Sequence, residues 1–150
     1  MQKSFLLVLT VSLIVSCTSS SRQEIADASD SGTDEITTDS GLKYTMIKNG
    51  SGPEVENGKK ITTHCILTLE DGTLIWSSRD DGREYVFVHG VTSHIPGFEE
   101  ALSYMKEGDR LKVHIPSQLG YGPAGRGSIP PNANLIFDIE VLTVGERSDL

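Results

Sequence analysis

The groups in this 150-residue chain that could do chemistry are four histidines, two cysteines and a scatter of aromatic rings. His64, His89, His94 and His114 do not fall at a metal-ligand spacing such as His-x-x-x-His. Two of them, His64 and His114, alternate with apolar neighbours on polar strand faces, so solvated or packing roles are expected and no metal site. No Gly-x-Ser-x-Gly nucleophile elbow occurs, and no glycine-rich loop ends in Lys-Ser or Lys-Thr. Gly120-Tyr121-Gly122-Pro123-Ala124-Gly125 does match G-x-G-x-x-G, with Glu140 downstream. A dinucleotide site needs a helix to open at the third glycine. Here Arg126-Gly127-Ser128-Ile129-Pro130-Pro131 follows, which cannot be helical. What remains is apolar and aromatic: Tyr85, Phe87, Ile95, Phe98, Tyr121, Ile129 and Phe137, drawn from separated segments. They fit a shared core, or a concave pocket with a tyrosine hydroxyl as its polar handle.

The elements that would position these residues are mostly strands. Leu42, Tyr44 and Met46 alternate with polar residues, as do Ile61, Thr63, Cys65, Leu67 and Leu69. Asp71-Gly72 signals a hairpin, returning through residues 73–76. A polar loop and a strand at 85–88 follow, then Leu111, Val113 and Ile115 on one face, and finally Leu135, Phe137, Ile139 and Val141. Phe98, Ala101, Leu102 and Met105 instead mark one face of a helix, preceded by Pro96 and Gly97 and stopped by Gly108. The expected fold is α+β, a curved antiparallel sheet wrapped over one short helix.

The N-terminal segment reads differently. Lys3 precedes an apolar run over residues 5–15, shorter than the ~20 residues of a membrane-spanning helix, so residues 1–16 are expected to be a signal peptide. Ser16-Cys17 resembles a bacterial lipoprotein cleavage box, which makes Cys17 the expected lipidation site. Residues 17–40 then form a flexible acidic tether, since 18–40 carry only Ile25 and Ile36 as large apolar residues. The folded domain is expected at 41–145 and a short tail at 146–150. A formal charge of -8 disfavours nucleic-acid binding.

Several stretches, in this order and spacing, resemble the FKBP-type prolyl isomerases: Leu69-Glu70-Asp71-Gly72, Ser77-Ser78-Arg79-Asp80, Ile95-Pro96-Gly97-Phe98-Glu99-Glu100-Ala101-Leu102, Met105-Lys106-Glu107-Gly108-Asp109-Arg110, Tyr121-Gly122, Ile129-Pro130-Pro131-Asn132-Ala133 and Leu135-Ile136-Phe137-Asp138-Ile139-Glu140. The resemblance covers roughly residues 41–144. It implies a sheet of five to six strands curled around the helix. It also implies a peptidyl-prolyl cis-trans isomerase that assists folding of exported proteins. Phe98 would be the floor under the substrate proline. Tyr85, Ile129 and Phe137 would be walls, His94 and Ile95 would engage the peptide, and the Tyr121 hydroxyl would donate to a substrate carbonyl. No metal or cofactor is implied. The partners would be proline-containing polypeptides and, through Cys17, a membrane. The expected location is the periplasm or cell surface. A monomer is expected, because the chain lacks the long N-terminal helical arm of some exported relatives.

The sequence also departs from the family pattern. Cys65 replaces an aromatic wall, Ile75 replaces a phenylalanine, Trp76 replaces the pocket aspartate, and His94 replaces an aliphatic residue. Asp81 stands where an arginine often partners that aspartate. These substitutions imply a reshaped pocket with reduced activity and weakened binding of macrolide immunosuppressants. They also fit a second function, a weakly active or inactive chaperone or binding module for proline-containing segments.

Overall fold

The computed structural model describes residues 34–146, all within one compact unit, Ser31–Leu150. The expected signal peptide, Cys17, most of the tether and the last four residues of the tail lie outside the described residues. The elements run β1 (Ile36–Thr37), β2 (Lys43–Lys48), β3 (Lys60–Leu69), β4 (Leu74–Ser77), β5 (Tyr85–Val88), α1 (Pro96–Leu102), β6 (Arg110–Ile115) and β7 (Leu135–Gly145). Two single-turn 3-10 segments, Ser117–Leu119 and Gly122–Ala124, interrupt the crossing from β6 to β7.

All strand pairs are antiparallel, in the order β1-β2-β6-β7-β3-β4, with β5 also on β3. The sheet thus counts seven strands where five to six are expected. One edge is divided. The free side of β3 pairs with β5 through Lys60, Ile61, Thr62 and Thr63, and with β4 through Ile66, Leu67 and Thr68, with the polar loop bulging out between them. The other addition is β1. Ile36 and Thr37 pair with Tyr44 and Lys43, so residues expected in the tether form an edge strand and a turn. Two short residues are enough because Thr38 N–H donates to Leu42 O (2.9 Å) and Gly41 N–H to Thr38 O (3.0 Å).

The alternation seen in sequence builds the core. Leu111, Val113 and Ile115 on β6 and Leu135, Ile139 and Val141 on β7 are fully buried against Phe98, Ala101 and Leu102 of the helix. Removing such surface from water contributes about 25 cal/mol per Å². The helix ends sooner than its apolar spacing predicts. Tyr104 N–H bonds to Ala101 O and Met105 N–H to Leu102 O, so the chain tightens into i→i+3 turns after Leu102. Met105 still reaches the core, at 2% exposure, from beyond the helix.

The end of β4, where the chain leaves the sheet toward β5, is fastened by the Ser77-Ser78 pair. Cys65 N–H donates to Ser78 Oγ (3.0 Å) and Asp80 N–H to Ser77 Oγ (3.2 Å). Both serines are buried, so the pair satisfies backbone where the edge strand leaves the sheet.

Candidate functional site

The concave side of the sheet and the N-terminal end of α1 enclose a cavity of about 770 Å³. All ten groove residues expected from sequence line it. Phe98 rises from α1, and its ring lies 5.2 Å from that of Phe137, which β7 presents between Leu67 of β3 and Val113 of β6. Tyr85 stands at the start of β5, and β4 contributes Ile75 and Trp76. Trp76 meets Tyr85 edge-on, centroids 5.5 Å apart at 75°. Cys65 lies on the inner face of β3, fully buried.

His94 and Ile95 come from the segment leading into α1, and the Ile95 N–H has no hydrogen-bond partner among the described residues. Tyr121 sits between the two 3-10 turns. Its hydroxyl likewise has no hydrogen-bond partner among the described residues, while the Arg126 guanidinium lies 5.6 Å over its ring. Ile129 closes a tight turn in which Arg126 and Ile129 exchange two backbone hydrogen bonds of 2.9 Å. Gly125 makes that turn possible. At φ 63° it has left-handed backbone, and a Cβ there would stand 2.5 Å from Ile129 O. The glycine-rich stretch therefore shapes a groove wall and opens no helix.

The sequence did not mark Leu67, Ser93, Pro96, Gly120, Arg126 or Gly127 as groove residues, yet they also line the cavity. Arg126 could have been suspected from its place between two glycines; the others carry no distinguishing signal. It also missed the polar partners behind the walls. Trp76 Nε1–H donates to Asp81 Oδ2 (2.9 Å). Tyr85 Oη lies 2.7 Å from His94 Nε2, and His94 Nδ1 lies 2.6 Å from Glu99 Oε1. His89 Nδ1 is 2.6 Å from Glu99 Oε2, in ion-pair range, yet off the axis of a hydrogen bond. The distance governs the electrostatics; the angle denies a directional bond.

The electrostatics leave the groove without an activated nucleophile. Burial pushes the Cys65 thiol up to about 12, so it stays neutral at working pH. Burial also raises the Tyr85 phenol above its ordinary value. Among the described residues no group of three or more His, Cys, Asp and Glu side chains is arranged to hold a metal ion. The arrangement can therefore grip an apolar ring and hydrogen-bond to the atoms around it.

Residues 52–142 match the family described as FKBP-type peptidyl-prolyl cis-trans isomerase. The chain belongs to that family. It is 43% identical over 107 residues to an FK506-binding protein of Neisseria meningitidis serogroup B, covering 71% of this chain and 98% of that one. It is 40% identical to the FKBP-type peptidyl-prolyl cis-trans isomerase FkpA of Aeromonas hydrophila over 107 residues, 71% of this chain and 39% of that longer protein. Among solved structures, FkpA from Escherichia coli superposes with a TM-score of 0.71 at 34% identity, covering 75% of this chain and 52% of that one.

Within this FKBP-type fold the unusual residues have explicit neighbours. Cys65 is small, and its thiol lies 3.3 Å from Thr63 Oγ1. It lines the groove together with Trp76 and Tyr85, whose rings meet edge-on.

Proposed function

We propose that this FKBP-type domain isomerises X-Pro peptide bonds in the groove, with Phe98 as the floor, Tyr85, Ile129 and Phe137 as walls, and Ile95 and Tyr121 as hydrogen-bond donors to the peptide. The observation that carries the reading is an aromatic cavity whose Tyr121 hydroxyl has no hydrogen-bond partner among the described residues, leaving a donor for a substrate carbonyl. Twisting a peptide bond costs ~18–20 kcal/mol because amide resonance is lost, so X-Pro isomerisation takes tens to hundreds of seconds unaided. No covalent step is needed. The planar amide is the more charge-separated form and is penalised more by an apolar groove than the twisted form. Tighter binding of the twisted form lowers the barrier. A ring held on Phe98 can stay fixed while the preceding carbonyl turns against Tyr121.

Exchange NMR on an Ala-Leu-Pro-Phe peptide with the full chain tests this. Accelerated cis-trans exchange is expected, reduced roughly tenfold by Tyr121→Phe, the size of one net hydrogen bond. Trp76→Asp alone sets a carboxylate beside Asp81 and is expected to weaken the groove; adding Asp81→Arg restores an ion pair, recovers activity and strengthens macrolide binding. Peptide binding without acceleration would make the domain a binding module for proline-containing segments.

The cellular setting belongs to the same proposal: a monomer acting on exported polypeptides, held to a membrane by lipid on Cys17. Its support is the apolar run before Ser16-Cys17 and the acidic stretch after it. Two or more acyl chains hold a protein on a membrane, each buried CH₂ adding about 0.8 kcal/mol. Among the described residues no helix is long and apolar enough to cross a membrane. Cys17→Ser is expected to move the protein from the membrane to the soluble fraction of a bacterial host and to remove the lipid mass from its N-terminal peptide. An unchanged distribution would refute the anchor. Light scattering of the full chain should return the mass of one copy.

A further inference from the structure

Tyr85 and His94 both line the groove and meet each other at 2.7 Å. Behind them lies the Glu99 carboxylate, whose Oε2 also accepts the Gly90 N–H at 3.2 Å. With Gly90 donating to it and His89 Nδ1 2.6 Å away, the carboxylate acts as an acceptor toward His94 as well. An acceptor at Oε1 requires the proton on His94 Nδ1, and a neutral imidazole then has a bare Nε2. Tyr85 must therefore donate its O–H to Nε2, which leaves only phenolic lone pairs facing the groove. The imidazole is not free to turn. Its ring packs 4.7 Å from that of Phe87 and 5.1 Å from that of Phe98, and its side chain is 10% exposed.

We propose that Glu99 and His94 are positioning residues that hold the Tyr85 hydroxyl as a hydrogen-bond acceptor toward the groove, and that protonation of His94 turns it into a donor. A proton taken from solvent at Nε2 makes that nitrogen donate to Tyr85 Oη, and the phenolic O–H rotates into the groove. Proline carries no N–H, so the atoms beside an X-Pro bond offer carbonyl oxygens more than donors. The donor form is the better match, and the groove works faster in acid.

Other titratable and charged groups share the cavity with this pair, among them Arg126, whose guanidinium lies over the Tyr121 ring. Cys65 on β3 is a neutral thiol, Asp81 behind β4 is bound to the Trp76 indole, and His89 from the turn after β5 flanks Glu99. The Tyr121 phenol faces Tyr85 from across the cavity. This inference rests on the isomerase reading for its kinetic consequence, but the proton's position does not.

The test has two independent readouts on the full chain. Long-range ¹H–¹⁵N correlation of the imidazoles should show His94 with a protonated Nδ1 and a bare Nε2 while the ring is neutral, and should follow the gain of a proton at Nε2 on acidification. Glu99→Gln, whose amide can donate to Nδ1, should shift His94 to the Nε2–H tautomer without acid. For isomerisation, kcat/KM should rise roughly two- to tenfold in step with the Nε2 proton seen by NMR, the span of one hydrogen bond. Tyr85→Phe, which keeps every histidine, should flatten the profile. A protonated Nε2 in the neutral parent, or a pH profile that Tyr85→Phe leaves unchanged, overturns the proposal. Absence of isomerisation at every pH would sink the isomerase reading instead, and the tautomer measurement would then decide this one.

Discussion

Phe98→Ala is expected to cost about 3–5 kcal/mol of folding stability and to lower kcat/KM roughly a hundredfold, about 2.7 kcal/mol of transition-state binding. The two effects share one cause. Phe98 is 3% exposed, and its ring contacts those of Phe87, His94 and Phe137 at centroid distances of 5.9, 5.1 and 5.2 Å. One side of the residue is therefore core and another lines the groove. Truncation opens a void between helix and sheet and removes the surface on which a proline ring would lie. Phe98→Leu separates the contributions. It restores most of the volume, at a cost expected below about 1.5 kcal/mol, yet supplies no flat aromatic face, so most of the kinetic loss should remain. Urea unfolding midpoints and exchange NMR on the same samples measure both. An alanine variant that unfolds at lower urea but turns over peptide at the parent rate, while folded, would remove Phe98 from the site.

The strand residues that face the core were legible because period-2 alternation survives folding unchanged: every second residue of β6 and of β7 from Leu135 to Val141 is buried. The helix was legible from Phe98, Ala101 and Leu102 for the same reason at a different period. Less legible were features that depend on a partner strand. Ile36 and Thr37 have no periodicity of their own and become β1 only because β2 presents a free edge. The division of the β3 edge into β4 and β5 is set by how far the polar loop between them bulges, which no local pattern encodes.

The departures from the family pattern show the same limit at the site. Considered one at a time, Trp76, Asp81 and His94 look like losses. In the fold, Trp76 donates to Asp81, and His94 bonds to Tyr85. The first pair joins residues five apart across a loop, and the second joins residues nine apart from different elements. Hydrogen bonds between side chains are local in space and unconstrained in sequence, so only the fold reveals that the exchanges are matched. A matched exchange gives the Trp76 indole N–H and the His94 imidazole partners within the wall, so neither exchange adds an unpaired polar group to the groove.

Asp109→Ala is expected to destabilise the domain by about 2–5 kcal/mol, with no substrate-facing atom removed. Asp109 is 2% exposed and lies outside the groove. Its carboxylate accepts the Gly50 N–H at 2.6 Å through one oxygen and the Lys106 N–H at 2.8 Å through the other. The two donors belong to segments that run antiparallel beside each other. Gly52 N–H bonds to Glu107 O, Glu107 N–H to Pro53 O and Val55 N–H to Met105 O, while Val141 N–H from β7 bonds to Asp109 O. Alanine leaves two amides without partners, and the backbone cannot close the gap. A Cβ on Gly50 would already stand 2.1 Å from Glu107 O, so the two chains are at their closest approach. Asp109→Asn keeps one acceptor and should fall between the parent and Asp109→Ala. An exposed pair such as Lys43–Glu35 sets the lower reference, since removing it is expected to change stability by less than about 1 kcal/mol. Thermal unfolding of the three variants orders these costs, and kcat/KM measured where each is folded should stay near the parent value. A loss for Asp109→Ala no larger than for Lys43→Ala would mean the carboxylate does not hold the two segments together, and the backbone bonds between residues 52–55 and 105–107 would have to suffice.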